Sequence, residues 1–223
     1  MRTAEVKIYS YSELSEEAKE HAWQNWLAKG VEYPWDGEAR ETIDALENAL
    51  GIAVRRWRFD SSGHDFDLSF EGWNEDALNL RGNRARSYLW NNFGHLILQG
   101  RYYTKWHGTK HAHSRFWLDR VYDGTCPLTG VCFDCDALDP LAYFCFGVKW
   151  DETQKKRIPI RPTIAQDNAN TVEDIIRECV DSLFSALERD WAWCESQEYF
   201  AEHAEANGYE FTEDGEYWCE VAA

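Results

Sequence analysis

Apolar and polar positions along this 223-residue chain repeat with two spacings, helical and strand-like, and the switches between them mark its elements. "VKIYSY" (6–11) alternates as a short strand does. Beyond it Ala18, Ala22 and Trp26 recur one helical turn apart, with Trp23 and Leu27 beside them, which predicts an amphipathic helix. Ser15 is its best N-cap, Glu16 and Glu17 complement the helix dipole, and Gly30 suits the position just past the end. A second helix fits 36–50, with Ala39, Ile43, Leu46 and Leu50 as its stripe and Gly51 as its stop.

Strand-like alternation follows. Ile52, Val54, Trp57 and Phe59 predict a strand that slips near Arg56. Phe66, Leu68 and Phe70 predict a second strand, with Asp65, Asp67 and Ser69 on its other face and "SSG" (61–63) as the hairpin turn. Residues 75–98 return to helical spacing, interrupted by "RGN" at Arg81–Asn83. "RYYTKWHGTKHAHSRFWLDRVYDG" (101–124) predicts another hairpin, turning at 108–110. Residues 123–163 follow neither spacing and hold four of the seven Cys and four of the five Pro. Thr171 or Asn170 then caps a long helix along Ile175, Ile176, Cys179, Leu183, Phe184, Leu187 and Trp191. A last helical stretch runs through "SQEYFAEHAEAN" (196–207) to Gly208. The order implies an α+β fold, an antiparallel sheet of two or more hairpins covered by N- and C-terminal helices. We read it as one domain, 1–223, with 123–163 as a candidate Cys-rich insertion.

Composition narrows the class. Hydrophobic residues make up 44% of the chain, so a packed core is affordable, and 12 Trp, 11 Tyr and 11 Phe stand against one Met. No window reaches the roughly 18 apolar residues of a membrane span, and "MRTAEVKIYS" carries no signal-peptide core. The expectation is a cytoplasmic protein that needs no membrane, its odd count of seven Cys kept as thiols.

Charge changes the picture more. The net value is −17, and after residue 180 twelve acidic residues face a single basic one, Arg189. Between 81 and 120 the balance reverses, with eight Lys or Arg and one acid, Asp119. That basic stretch carries Tyr88, Trp90, Tyr102, Tyr103, Trp106 and Trp117, a pattern that can track a nucleic-acid strand. The overall charge opposes direct nucleic-acid binding and steers the protein towards basic partners.

Three residue sets could carry chemistry. Cys126, Cys132, Cys135 and Cys145 could supply four thiolates to a structural zinc, with His107, His111 and His113 as further donors. The alternative to this metal site is a set of small buried hydrophobes. His64, Asp65 and Asp67 could hold a divalent cation or divide acid and base roles, or simply form the polar face of a strand. P-loop, GxGxxG, GxSxG and HExxH motifs are absent from the sequence, so the expectation is a binding protein and not an enzyme. The third set is the acidic C-terminal tract. Glu195, Glu198, Glu202 and Glu205 recur along one side of the predicted helix, and Glu213, Asp214 and Glu216 follow. Carboxylates spaced on a rigid helix can stand in for phosphates, and Trp193, Tyr199 and Tyr217 lie among them as candidate anchors.

"YSELSEEAKEHAWQNW" near the start and "ANGYEFTEDGEYW" near the end resemble the two ends of a family of uncharacterised phage and mobile-element proteins. "HDFDLSFEGW" and "HAHSRFWLDRV" fall in matching order between them, whereas 123–163 lies outside the pattern. Some members of that family are described as antitoxins, and it carries no catalytic residues to transfer. The resemblance implies a phage-borne gene acting in a bacterial cytoplasm, where small acidic proteins block defence complexes. The combined expectation is an inhibitor of the anti-CRISPR type that occludes a basic, nucleic-acid-binding surface of a CRISPR–Cas or similar effector, without a cofactor. The alternative is a zinc-containing accessory or antitoxin-like protein built on the Cys/His-rich middle.

Overall fold

A computed structural model describes residues 6–102, 116–121, 128–129, 133–146, 148–151, 156–159 and 169–218. It is mixed helix and strand with small antiparallel sheets, the α+β class that the spacing predicts. The described strands do not merge into one sheet. They form four separate small ones among the described residues.

The chain divides into two compact units. The smaller gathers both ends, Met1–Pro34 and Glu188–Ala223, together with Asp60–Ser62, and the larger holds Trp35–Phe59 and Gly63–Leu187.

In the smaller unit, β1 (Tyr9–Ser10) pairs antiparallel with β8 (Glu210–Phe211), which pairs with β9 (Tyr217–Trp218). A single turn of 3-10 helix, Tyr11–Glu13, leads into α1 (Glu16–Ala28), whose N-cap Ser15 accepts the Ala18 N–H as its sequence predicts. The end of the long helix α6 (Val172–Cys194) and then α7 (Gln197–Ala206) complete the unit. Tyr11, Leu14, Ala18, Ala22, Phe200, Ala204 and Phe211 are its buried core. Alanines at the helix crossing let the backbones approach, and the rings of Tyr11, Trp26 and Phe211 close around Phe200. Trp26 therefore stacks inwards, at 5.0 Å from Phe200.

The larger unit is built on α2 (Asp36–Leu50), β2 (Ala53–Asp60) through Phe59, β3 (Gly63–Ser69), α3 (Glu75–Leu78), α4 (Gly82–Phe93) and α5 (Phe133–Phe146), with α6 through Leu187. Two further hairpins pair β4 (Leu98–Tyr102) with β5 (Phe116–Val121) and β6 (Val148–Asp151) with β7 (Lys156–Pro159). The predicted slip in the first strand is real: Arg56 adopts φ +50°, and Arg55 and Arg56 both face solvent. The extra residue lets Val54, Trp57 and Phe59 point the same way despite their odd spacing. Inside the Cys-rich segment, α5 packs against α2 and α4, with Ala137, Leu138, Leu141, Ala142 and Phe144 buried. Thr171 caps α6 by accepting the Asp174 N–H, while the Asp174 carboxylate accepts the Thr171 N–H.

Candidate functional site

The acidic tract lies in the smaller unit, and the structure sorts its residues into three places. Glu198, Glu202 and Glu205 are exposed on α7, spaced so that all three share one side. Ser196 caps this helix through the Tyr199 N–H, and Phe200 and Ala204 hold the opposite side in the core, so the row sits on a fixed rod. Glu198 and Glu205 border a shallow groove with Tyr11, Glu16 and Lys19. The hydrogen bond from Lys19 to Glu16, at 2.8 Å, raises the Lys19 ammonium above its ordinary range, and Glu205 adds to the effect.

Glu195 is not part of that row. It precedes the N-cap of α7, half-buried, where its carbonyl accepts the Trp23 indole N–H and its carboxylate the Trp191 indole N–H, both at 2.9 Å. Its placing corrects the helical side read from the sequence: α6 ends at Cys194 and a new helix starts beyond it, so the spacing does not run through.

Glu213, Asp214 and Glu216 occupy the β8–β9 turn, which the sequence reading left without strands. Hydrogen bonding from Thr212 holds the Asp214 carboxyl below its ordinary range. The turn docks on α1, where the His21 Nδ1–H donates to the Asp214 carbonyl at 2.7 Å and Asn25 donates to the Glu216 carboxylate at 3.3 Å. These contacts use the His21–Asn25 flank of α1, whereas the α7 row borders the Lys19 flank.

Between the two acidic groups runs a chain of rings. Trp193, 41% exposed at the end of α6, meets Tyr199 edge-on at 6.5 Å, and Tyr199 stacks on His203 at 5.9 Å. His203 contacts Tyr209 at 5.5 Å, and Tyr209 contacts Tyr217, 47% exposed, at 5.2 Å. The three candidate anchors thus belong to one ribbon, joined by His203 and Tyr209, which sequence spacing did not single out. Burial raises the Tyr199 hydroxyl above its ordinary range, so it stays protonated. The Tyr217 end of the ribbon opens on a cleft of about 520 Å³ against α1.

Comparison with known family models, with curated proteins and with solved structures finds no match to this chain.

The other candidate sets fall in the larger unit. His64 stacks on Phe66 and Phe184 and has Asp181 at 3.2 Å, while Asp65 and Asp67 stand on the outer face of β3 and Asp67 pairs with Arg56 at 2.5 Å. The strand's alternation therefore separates His64 from the two aspartates it was grouped with. Cys135 and Cys145 lie near opposite ends of α5, ten residues apart, a rise of about 15 Å. Two thiolates on one zinc sit about 4 Å apart, so this helix prevents the pair from sharing an ion. Cys126, Cys132, His107, His111 and His113 lie outside the described residues, as does most of the basic stretch beyond Tyr102. Among the described residues no helix is long and apolar enough to cross a membrane.

Burial pushes the Cys145 thiol up from 9.0 to about 12. At pH 8 its thiolate fraction should be about a thousandfold below that of an ordinary thiol, and its alkylation correspondingly slow. Iodoacetamide labelling read peptide by peptide checks this: the native protein should leave Cys145 unmodified under conditions that label it fully in denaturant. Because the folded form favours the neutral thiol, its contribution to stability is complete below about pH 9 and is lost as pH rises towards 12.

Proposed function

We propose that this protein is a non-enzymatic acidic inhibitor that occludes a basic, nucleic-acid-binding surface of a bacterial defence complex, most concretely as an anti-CRISPR in the host cytoplasm. The observation that supports this reading is the exposed row Glu198, Glu202 and Glu205 on a helix whose other side is locked into the core. Fixed carboxylates meet a row of Lys and Arg without first losing backbone freedom, and complementary potentials speed the encounter. The three charges span a rise of about 10 Å, roughly one per 5 Å, against one phosphate per about 3.4 Å along a DNA strand. The row is sparser than the polymer it would replace, so charge alone leaves the complex weak. Trp193 and Tyr217, exposed at the two ends of the aromatic ribbon, are the anchors that would slow its release.

The test is inhibition of DNA binding by purified CRISPR surveillance complexes and restriction enzymes. One of them should be blocked. Changing Glu198→Lys, Glu202→Lys and Glu205→Lys together should raise the concentration needed at least tenfold, as should moderate salt. Full inhibition by the triple variant at physiological salt would remove the acidic row from the mechanism.

A further inference from the structure

The cleft beside α1 has the chemistry of a receptor for one cationic side chain. Trp26 and Asn25 of α1, Phe200 of α7, and Tyr209 and Tyr217 of the C-terminal segment wall it, and Glu216 contributes the carboxylate of its lining. Ring faces carry partial negative charge and attract cations, more strongly where water is excluded. A cation already uses this property: the Lys29 ammonium lies 5.5 Å from the centre of the Tyr217 ring. Lys29 follows the last residue of α1, exposed on a flexible stem, so it can leave without disturbing the core.

We infer that the cleft receives an arginine side chain of the basic partner, its guanidinium stacked on Tyr217 in place of Lys29 and paired with Glu216. This rests on the proposed function for the source of the arginine, and on the cleft alone for its chemistry. Arginine fits better than lysine because a planar guanidinium can stack on a ring while its edge forms two hydrogen bonds to one carboxylate. The volume, about 520 Å³, lies in the range of small-molecule pockets and holds the stem as well as the head. An inserted arginine supplies what the sparse α7 row lacks, a ring face and a carboxylate that engage one cation together. It also gives the hairpin acid a role of its own, separate from the α7 row.

The probe is the tripeptide acetyl-Gly-Arg-Gly-amide, with the citrulline tripeptide, identical in shape but uncharged, as control. Binding is read from the indole N–H resonance of Trp26, assigned with Trp26→Phe. The arginine peptide should shift this resonance saturably and the citrulline peptide should not. Glu216→Gln, which keeps the Asn25 hydrogen bond, should weaken binding at least fivefold. Lys29→Ala should tighten it about threefold by removing the resident cation. Absence of a saturable shift, equal binding of citrulline, or weakening by Lys29→Ala would each overturn the inference. The tripeptide carries a single charge and needs no α7 row, so its failure counts against the cleft. Failure of charge reversal on α7 counts against the row.

Discussion

Gly215→Ala should destabilise the terminal unit by about 3 kcal/mol or more. Gly215 has φ +87° and presses against α1 so closely that a Cβ would stand 2.1 Å from the Ala18 carbonyl oxygen and 3.0 Å from its carbon. Neither side can yield cheaply, because Ala18 is 3% exposed in the middle of the α1 core face. The β8–β9 turn would have to lift, taking the Asp214 and Glu216 contacts to His21 and Asn25 with it. Gly208 is the internal control, since at φ +63° it has nothing within 4 Å of its added Cβ. Gly208→Ala should therefore carry only the left-handed strain, about 1 kcal/mol. Urea unfolding of both variants gives the comparison, and equal losses would mean that the turn is not docked on α1.

Phe184→Ala should cost about 3–5 kcal/mol in the larger unit. Phe184 is wholly buried on α6 and carries the inner face of the first hairpin: Phe66 lies 5.2 Å from its ring, His64 5.8 Å, Trp57 6.0 Å and Phe59 6.2 Å. Truncation leaves a cavity that these rings, fixed on two paired strands, cannot refill. Phe66→Ala removes one half-buried ring from the rim and should cost about half as much. The same unfolding measurement decides it. A Phe184→Ala loss no larger than that of Phe66→Ala would mean that the hairpin does not lean on α6 as described.

Much of the fold was legible because local rules and tertiary packing agree. The stripe of Ala39, Ile43, Leu46 and Leu50 is buried on α2, and the uneven spacing across Arg56 marks a left-handed residue in β2. Ser15 and Thr171 cap the helices they precede. The hairpin at the C-terminus escaped notice because each of its strands has only two residues, too few to show alternation, although "TEDG" between two aromatic pairs was a turn signal. The helix α5 was obscured by its Cys and Pro residues and by aspartates scattered among its apolar positions, which leave no clean stripe.

The candidate site divides in the same way. Sequence alone determined that the C-terminal tract is acidic, that Glu198, Glu202 and Glu205 share a helical side, and that aromatic residues lie among the acids, because these follow from composition and from the turn of a helix. Only the tertiary structure decided that Glu195 turns inward to two indoles, that Trp193, Tyr199 and Tyr217 join one ribbon of rings, and that Glu216 and Lys29 share a cleft. The physical reason is reach. Helical periodicity relates residues a turn apart, whereas these contacts bring Trp23 to Glu195 and Lys29 to Tyr217, pairs joined only when the two ends of the chain pack together.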